Sequence, residues 1–191
     1  MSTLMSPALI GYRIDVHDVI DEVSESFAVF ARQNGAAGLE ENVLGTSLWG
    51  HVLGSEVQAV YRDLLAHARR TGRPVVFPYR CDAPDCRRFL QMRMRRLEAG
   101  AIAFESRVLR EEARPSVDLL EVGRQTEPGL LVMCAWCRKI EADGWVEIEE
   151  GLRRLGLFNQ TSFPCITHGI CLPCKDVAMA ELKSLRPLLQ S

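Results

Sequence analysis

Ser55-Glu-Val-Gln-Ala-Val-Tyr-Arg-Asp-Leu-Leu-Ala-His-Ala-Arg-Arg-Thr-Gly72, followed directly by Arg73-Pro-Val-Val-Phe-Pro-Tyr-Arg80, is where the hydrophobic period of this chain changes. Before Gly72, the residues Val57, Val60, Tyr61, Leu64, Leu65 and Ala68 fall on one face of an α-helix. Ser55 is the expected N-cap, Arg69 and Arg70 suit the negative end of the helix dipole, and Gly72 stops the helix. After Gly72 the period is two. Val75, Phe77 and Tyr79 alternate with Val76, Pro78 and Arg80. Leu90, Met92 and Met94 alternate with Gln91, Arg93 and Arg95. Ile102, Phe104 and Val108 alternate with Ala103, Glu105 and Arg107. Cys81–Cys86 and Glu98–Gly100 are the connecting turns. The pattern predicts a three-strand antiparallel meander with one apolar face. Pro78 predicts an edge-like stretch or a bulge in its first strand.

Upstream, residues 1–11 form a weakly patterned lead-in and Asp15–Val23 reads as one short strand. Ser24 or Ser26 can cap a helix carrying Phe27, Phe30 and Ala31, ended by Asn34-Gly35. Val43–Trp49 reads as a turn leading into a helical turn. Downstream, residues 111–127 are charged and aperiodic, with a short amphipathic element at Val117–Val122. They are expected to be a linker. Leu130–Met133 reads as a strand, Asp143-Gly144 as a hairpin turn, and Trp145-Val146 as the return strand. Ile148–Leu155 is a short helix ended by Gly156. A polar loop covers Asn159–Pro164. A last helix is expected from Asp176 to Leu185, closed by Pro187.

The 191 residues carry 23 basic and 25 acidic side chains, a formal net charge of −2. Such a balance gives no global attraction to nucleic acid or to an anionic membrane. No run reaches the about 18 apolar residues of a membrane span, and the first residues lack the features of a secretory signal. Seven cysteines without an export signal point to a cytoplasmic protein using cysteine for metal or redox chemistry.

Four of the seven form two pairs, Cys134-Ala-Trp-Cys137 and Cys171-Leu-Pro-Cys174. A Cys-x-x-Cys turn aims two sulfurs at one point, and two such turns supply the four soft ligands of a tetrahedral zinc ion. The 33 residues between Cys137 and Cys171 exceed the usual zinc-finger spacing, but can hold a hairpin and a helix. Zinc held by Cys134, Cys137, Cys171 and Cys174 is expected to be structural, because four thiolates leave no open position for substrate. His168 either replaces one cysteine on the ion or hydrogen-bonds a ligand sulfur or a backbone carbonyl. Cys165 is a spare thiol or a further ligand. Trp136 and Trp145 either pack over the metal site or form a partner-binding surface.

The order of elements over residues 12–112 resembles a PAS domain: a first strand, a helix-rich connector, then the meander. Val19-Ile-Asp-Glu-Val-Ser-Glu-Ser-Phe27 stands where that family places its first strand and the next segment. Val43-Leu-Gly-Thr-Ser-Leu-Trp49 is similar to its recurrent Gly-x-Ser-Leu-Trp turn. Residues 128–191 resemble a cysteine module found behind bacterial sensory domains. Its pattern is Cys-x-Trp-Cys, a tryptophan, then His-Gly-Ile-Cys-x-x-Cys, here Cys134, Trp136, Cys137, Trp145, His168, Gly169, Ile170, Cys171 and Cys174. These resemblances imply an α+β chain with a PAS-like sensory domain at 12–112, a linker at 113–127 and a four-cysteine zinc module at 128–191.

Asp85-Cys-Arg-Arg-Phe-Leu-Gln91 is similar to the flavin-adduct motif of LOV domains, but follows the long helix instead of preceding it, so no flavin is assigned. The organic ligand of a PAS-like pocket is not named by any residue pattern. Arg87, Arg88, Arg93, Arg95 and Arg96 could meet phosphate, or pair with the acidic stretches at 18–25 and 111–112. Glu147, Glu149 and Glu150 look like solubilising charge. Cys81 and Cys86 flank a turn, either as ordinary thiols, the expected reading in a cytosolic protein, or as a pair that oxidises across the hairpin. No nucleophile–base pair, phosphate loop or kinase signature is present, so catalysis is not expected. The expected function is a bacterial signal-transduction sensor or adaptor. Its PAS-like domain would hold a ligand or a homodimer interface, and its zinc module would offer a surface to a protein partner. The alternatives are a zinc-ribbon nucleic-acid-binding regulator and a cysteine redox switch.

Overall fold

Alternation after Gly72 builds a sheet, and the helix before Gly72 covers one face of it. The computed structural model describes residues 9–184. In chain order its elements are β1 (Ile10–Ile14), β2 (Ile20–Val23), α1 (Glu25–Gln33), α2 (Leu39–Val43), α3 (Ser55–Thr71), β3 (Val75–Arg80), β4 (Cys86–Arg96), β5 (Ile102–Ala113), β6 (Glu127–Cys134), β7 (Ile140–Glu141), β8 (Trp145–Val146), α4 (Ile148–Arg154), β9 (Pro164–Gly169) and α5 (Leu172–Ser184). The chain is α+β. It has a five-stranded antiparallel sheet in the order β2-β1-β5-β4-β3 and a four-stranded sheet in the order β8-β7-β6-β9.

The meander is β3-β4-β5, but β5 does not alternate as expected: between β1 and β4 it is buried on both faces from Ile102 to Ser106, Glu105 included, and Val108 is exposed. Phe77, Met94 and Phe104 face Leu64 and Leu65 of α3 in one core. Asp15–Val23 is not one strand. The Asp15 carboxylate accepts from the backbone N–H groups of His17 and Val19, and Asp18 adopts φ 64°, so the chain turns and β2 returns against β1. The supposed lead-in contributes Ile10 and Gly11 to β1, paired with Ser106 and Glu105 of β5. Five residues are too few for a period to declare itself. Ser24 caps α1 by accepting from the Phe27 N–H.

Gly54, not Ser55, caps α3, and no side chain assists it. Its φ is +92°, and a Cβ there would overlap the backbone carbonyl oxygen of His168. The helix therefore starts against the backbone of β9, an approach only glycine permits.

Strand β9 begins at Pro164, where the expected polar loop ends. It pairs in parallel with β6, which the intervening β7, β8 and α4 make possible as a crossover. Leu119, Met133, Ile140, Ile148 and Phe163 form the small core of this second sheet. The segment 113–127, expected as a linker, is packed: Arg114, Val117 and Leu119 are buried. Its anchors are single residues, which leave no periodic trace. Helix α5 begins at Leu172, earlier than expected. Leu185 and Pro187, expected at its end, lie outside the described residues.

The two sheets meet at β3. Trp136 stacks on Phe77 with ring centroids 4.1 Å apart, and the Arg80 N–H donates to the Trp136 carbonyl at 2.6 Å. The Val76 N–H donates to the Glu181 carboxylate of α5 at 3.0 Å. These contacts occupy the outer edge of β3, the edge that Pro78 announces. Beside them, the fully buried Asp82 carboxylate accepts from both Arg80 and Arg114. Arg80 also reaches Glu147 at 2.8 Å, and Arg87 reaches Glu149 at 2.6 Å. Glu147 and Glu149 are therefore ties between the sheets, not solubilising charge. Glu150 does pair locally, with Arg154. Arg88 and Arg95 pair with Glu111 and Glu105 of β5. The acidic stretch at 18–25 is met instead by Arg13 and Arg69. Among the described residues, no helix is long and apolar enough to cross a membrane.

Asp82→Asn leaves two buried guanidinium groups without their shared anion. A loss of about 3 kcal/mol is expected, while Asp21→Asn, breaking an exposed pair, costs under about 1 kcal/mol. Urea denaturation of both variants measures this. Equal losses would show that the buried network contributes nothing special.

Candidate metal centre and ligand cavity

Each cysteine pair is shaped by its local backbone. Cys134 ends β6, where its N–H donates to the Lys139 carbonyl at 2.8 Å and its carbonyl accepts from Arg138 at 3.0 Å. Arg138 sits at φ 61°, closing the turn that returns Cys137 toward Cys134. Cys171 immediately precedes α5 and Cys174 lies in its first turn, with the Lys175 N–H donating to the Cys171 carbonyl at 2.9 Å. The positive end of that helix dipole favours thiolates.

The four sulfurs lie within 4.8 Å of one another. Cys134 and Cys171 are 3.7 Å apart, and Cys137 and Cys171 3.6 Å. A tetrahedral ion with zinc–sulfur bonds of about 2.3 Å sets its sulfurs about 3.8 Å apart, so these two spacings are consistent with zinc. All four are free thiols, as are Cys81, Cys86 and Cys165. Thiol hydrogen bonds from Cys137 and then Cys174 hold Cys134 far below the usual thiol range, and the Cys171 N–H also points at its sulfur at 3.5 Å. Those contacts with Cys134 push Cys137 and Cys174 up. A divalent cation would hold all four as thiolates and release their protons. It would supply folding free energy and a fixed junction between β6 and α5, with no open coordination position.

Neither alternative ligand joins the group. His168 lies opposite Met133 in the β6–β9 pairing, and its Nε2 is 3.4 Å from the Arg138 guanidinium, which donates to it. Its Nδ1 is buried without a hydrogen-bond partner. Burial, then the Arg138 charge, lowers its pKa and keeps the ring neutral. Cys165 is exposed on β9, with its sulfur toward the Gln125 carbonyl. Trp136 is buried in the first core. Trp145 is half-buried against the backbone of Gly169.

A cavity of about 680 Å³ lies between α1, α2, the inner sheet face and the Cys81–Asp85 turn. Gly11, Ala31, Met92 and Ser106 lie deep in it, and Gln33, Asp85 and Val122 stand at its exposed rim. This is the size of a small-molecule site. The sequence did not reveal it, because its lining comes from separated segments that carry no motif.

No family model matches this chain, and a search of curated proteins finds no relative.

Native mass spectrometry is expected to find one zinc ion per chain. Cys137→Ser and Cys174→Ser should lose it, while His168→Gln and Cys165→Ser should retain it. Zinc loss in His168→Gln alone among the last two would place the imidazole on the ion.

Proposed function

We propose that this chain is a non-catalytic sensor or adaptor of bacterial signal transduction, acting in the cytoplasm. A PAS-like domain at 12–112 holds a small organic ligand, and the packed segment 113–127 leads to a structural zinc module at 128–191. The order of elements supports the PAS-like reading: two strands, a helical connector, then the three-strand meander. The zinc module presents its surface to a protein partner, with Leu172, Val177 and Met179 of α5 among its exposed apolar residues. A homodimer through the PAS-like domain is compatible with this scheme.

One observation carries the sensor reading. The Cys81–Asp85 turn walls the cavity, and Arg80, which leads into that turn and holds its Asp82, is itself bound to the cysteine module. Arg80, entering the turn, hydrogen-bonds Trp136 through its backbone and Glu147 through its side chain. In this reading an occupant that shifts the turn acts on the module through Arg80. The nucleic-acid reading draws less support, because Arg87, Arg88 and Arg95 are paired with carboxylates. The redox reading is favoured only by the close approach of the four thiols.

Hydrogen–deuterium exchange with and without zinc tests the linkage. Chelation is expected to raise exchange of β3 and the Cys81–Cys86 turn by about tenfold, besides exposing β6 and α5. Unchanged exchange at residues 75–86 would mean that the cavity and the module act independently, and the sensor reading would fall.

A further inference from the structure

The chemistry of the cavity wall says what it can hold. Its aromatic surface comes from Tyr12, Phe27, Phe30 and Tyr79. Among the described residues that line it, the charged ones are Asp82, Asp85 and Glu121, and none is cationic. The guanidinium groups behind the wall are engaged. Arg80 and Arg114 hold Asp82, and Arg88 donates to Glu111, Asn34 and the Cys81 carbonyl. A carboxylate or phosphate would lose its water, find no cation and face acids. A cation fares little better. Asp82 already binds two guanidiniums, Glu121 binds Arg124, and Asp85 stands in solvent at the rim.

One polar feature lies deep in the cavity. The Tyr79 hydroxyl donates to Ser106 Oγ at 2.9 Å, and Ser106 donates onward to the Met92 sulfur at 3.5 Å. Both hydroxyl protons are committed, so what stays open is acceptor capacity, the lone pairs on the Tyr79 oxygen and one on Ser106. Burial keeps the Tyr79 phenol protonated, far above its ordinary range.

We propose that the cavity takes an uncharged aromatic molecule that donates one hydrogen bond to the Tyr79 hydroxyl. This rests on reading the cavity as a ligand site and adds the ligand's chemical class. The shared ring maximises contact with the aromatic wall. The single donor meets the open acceptor capacity of the Tyr79 hydroxyl, and the absence of charge avoids an uncompensated desolvation.

Four naphthalene probes test it on the full chain, followed by NMR of the Met92 methyl group. They are 2-naphthol, 2-methoxynaphthalene, 2-naphthoate and 2-naphthylmethylammonium. The naphthol is expected to bind tightest, the methoxy compound about tenfold more weakly for want of a donor, and both ions about a hundredfold more weakly. Tyr79→Phe should abolish the preference for naphthol over the methoxy compound while leaving the latter's affinity unchanged. Naphthoate or the ammonium probe binding as tightly as naphthol, or a preference that survives Tyr79→Phe, overturns the assigned class but keeps the ligand site. Failure of all four probes overturns both. Binding that appears only after deletion of residues 1–8 makes that segment the occupant and also overturns the proposal.

Discussion

Everything in this molecule turns on the stacking of Trp136 against Phe77. The rings lie nearly parallel, at 5°, and Trp136 is 1 % exposed. A tryptophan between two cysteines of a candidate metal site would ordinarily cover that site. Here it leaves the cysteine turn and enters the core of the neighbouring sheet. Tyr61 of α3 meets both Phe77 and Trp136 edge-on, so helix, sheet and cysteine turn share one aromatic cluster. Burial of rings this large contributes several kcal/mol, and their mutual geometry adds about 1 kcal/mol per pair. The cysteine turn is therefore held in place by the first sheet as well as by its own second sheet.

That placement forces polar groups into the seam, and the fold answers with a network centred on Asp82. A lone buried carboxylate would be prohibitive, and so would the two buried guanidiniums beside it. Together they are mutually compensated, with Arg80 extending to Glu147 and Arg114 also hydrogen-bonding the Pro84 and Ala83 carbonyls. The arginines thus stiffen the Cys81–Asp85 turn, which is also a wall of the cavity. A single five-residue turn is common to the cavity, the salt-bridge network and the approach to the cysteine centre.

The metal centre has a different logic. Its halves lie on a β-hairpin turn and a helix start, elements joined through the β6–β9 ladder. Parallel pairing of β6 with β9 brings both cysteine pairs to the same end of the second sheet, with Cys134 opposite Gly169. The tight packing of Gly54 on the His168 carbonyl then fixes that end against α3.

Local pattern was enough for several features. The period of 3.6 over 57–68 specified α3, the period of two specified the meander, and Pro78 marked β3 as an edge. The two Cys-x-x-Cys turns named all four sulfurs, because each turn converges on one point by its own geometry. What escaped were features made by partners far apart in the chain. Strand β9 exists because β6 lies beside it, and Pro164–Gly169 alone carries no alternation. Glu147 and Glu149 read as surface charge because nothing nearby in sequence says that Arg80 and Arg87 will face them. The cavity, assembled from α1, the sheet and the turn, has no sequence signature. The sequence by itself determined α3, the meander and the two Cys-x-x-Cys turns, since periodicity and turn chemistry act between near neighbours. Only the tertiary structure decided the seam, the cavity and the fate of each charge, since burial depends on residues that the chain brings together from afar.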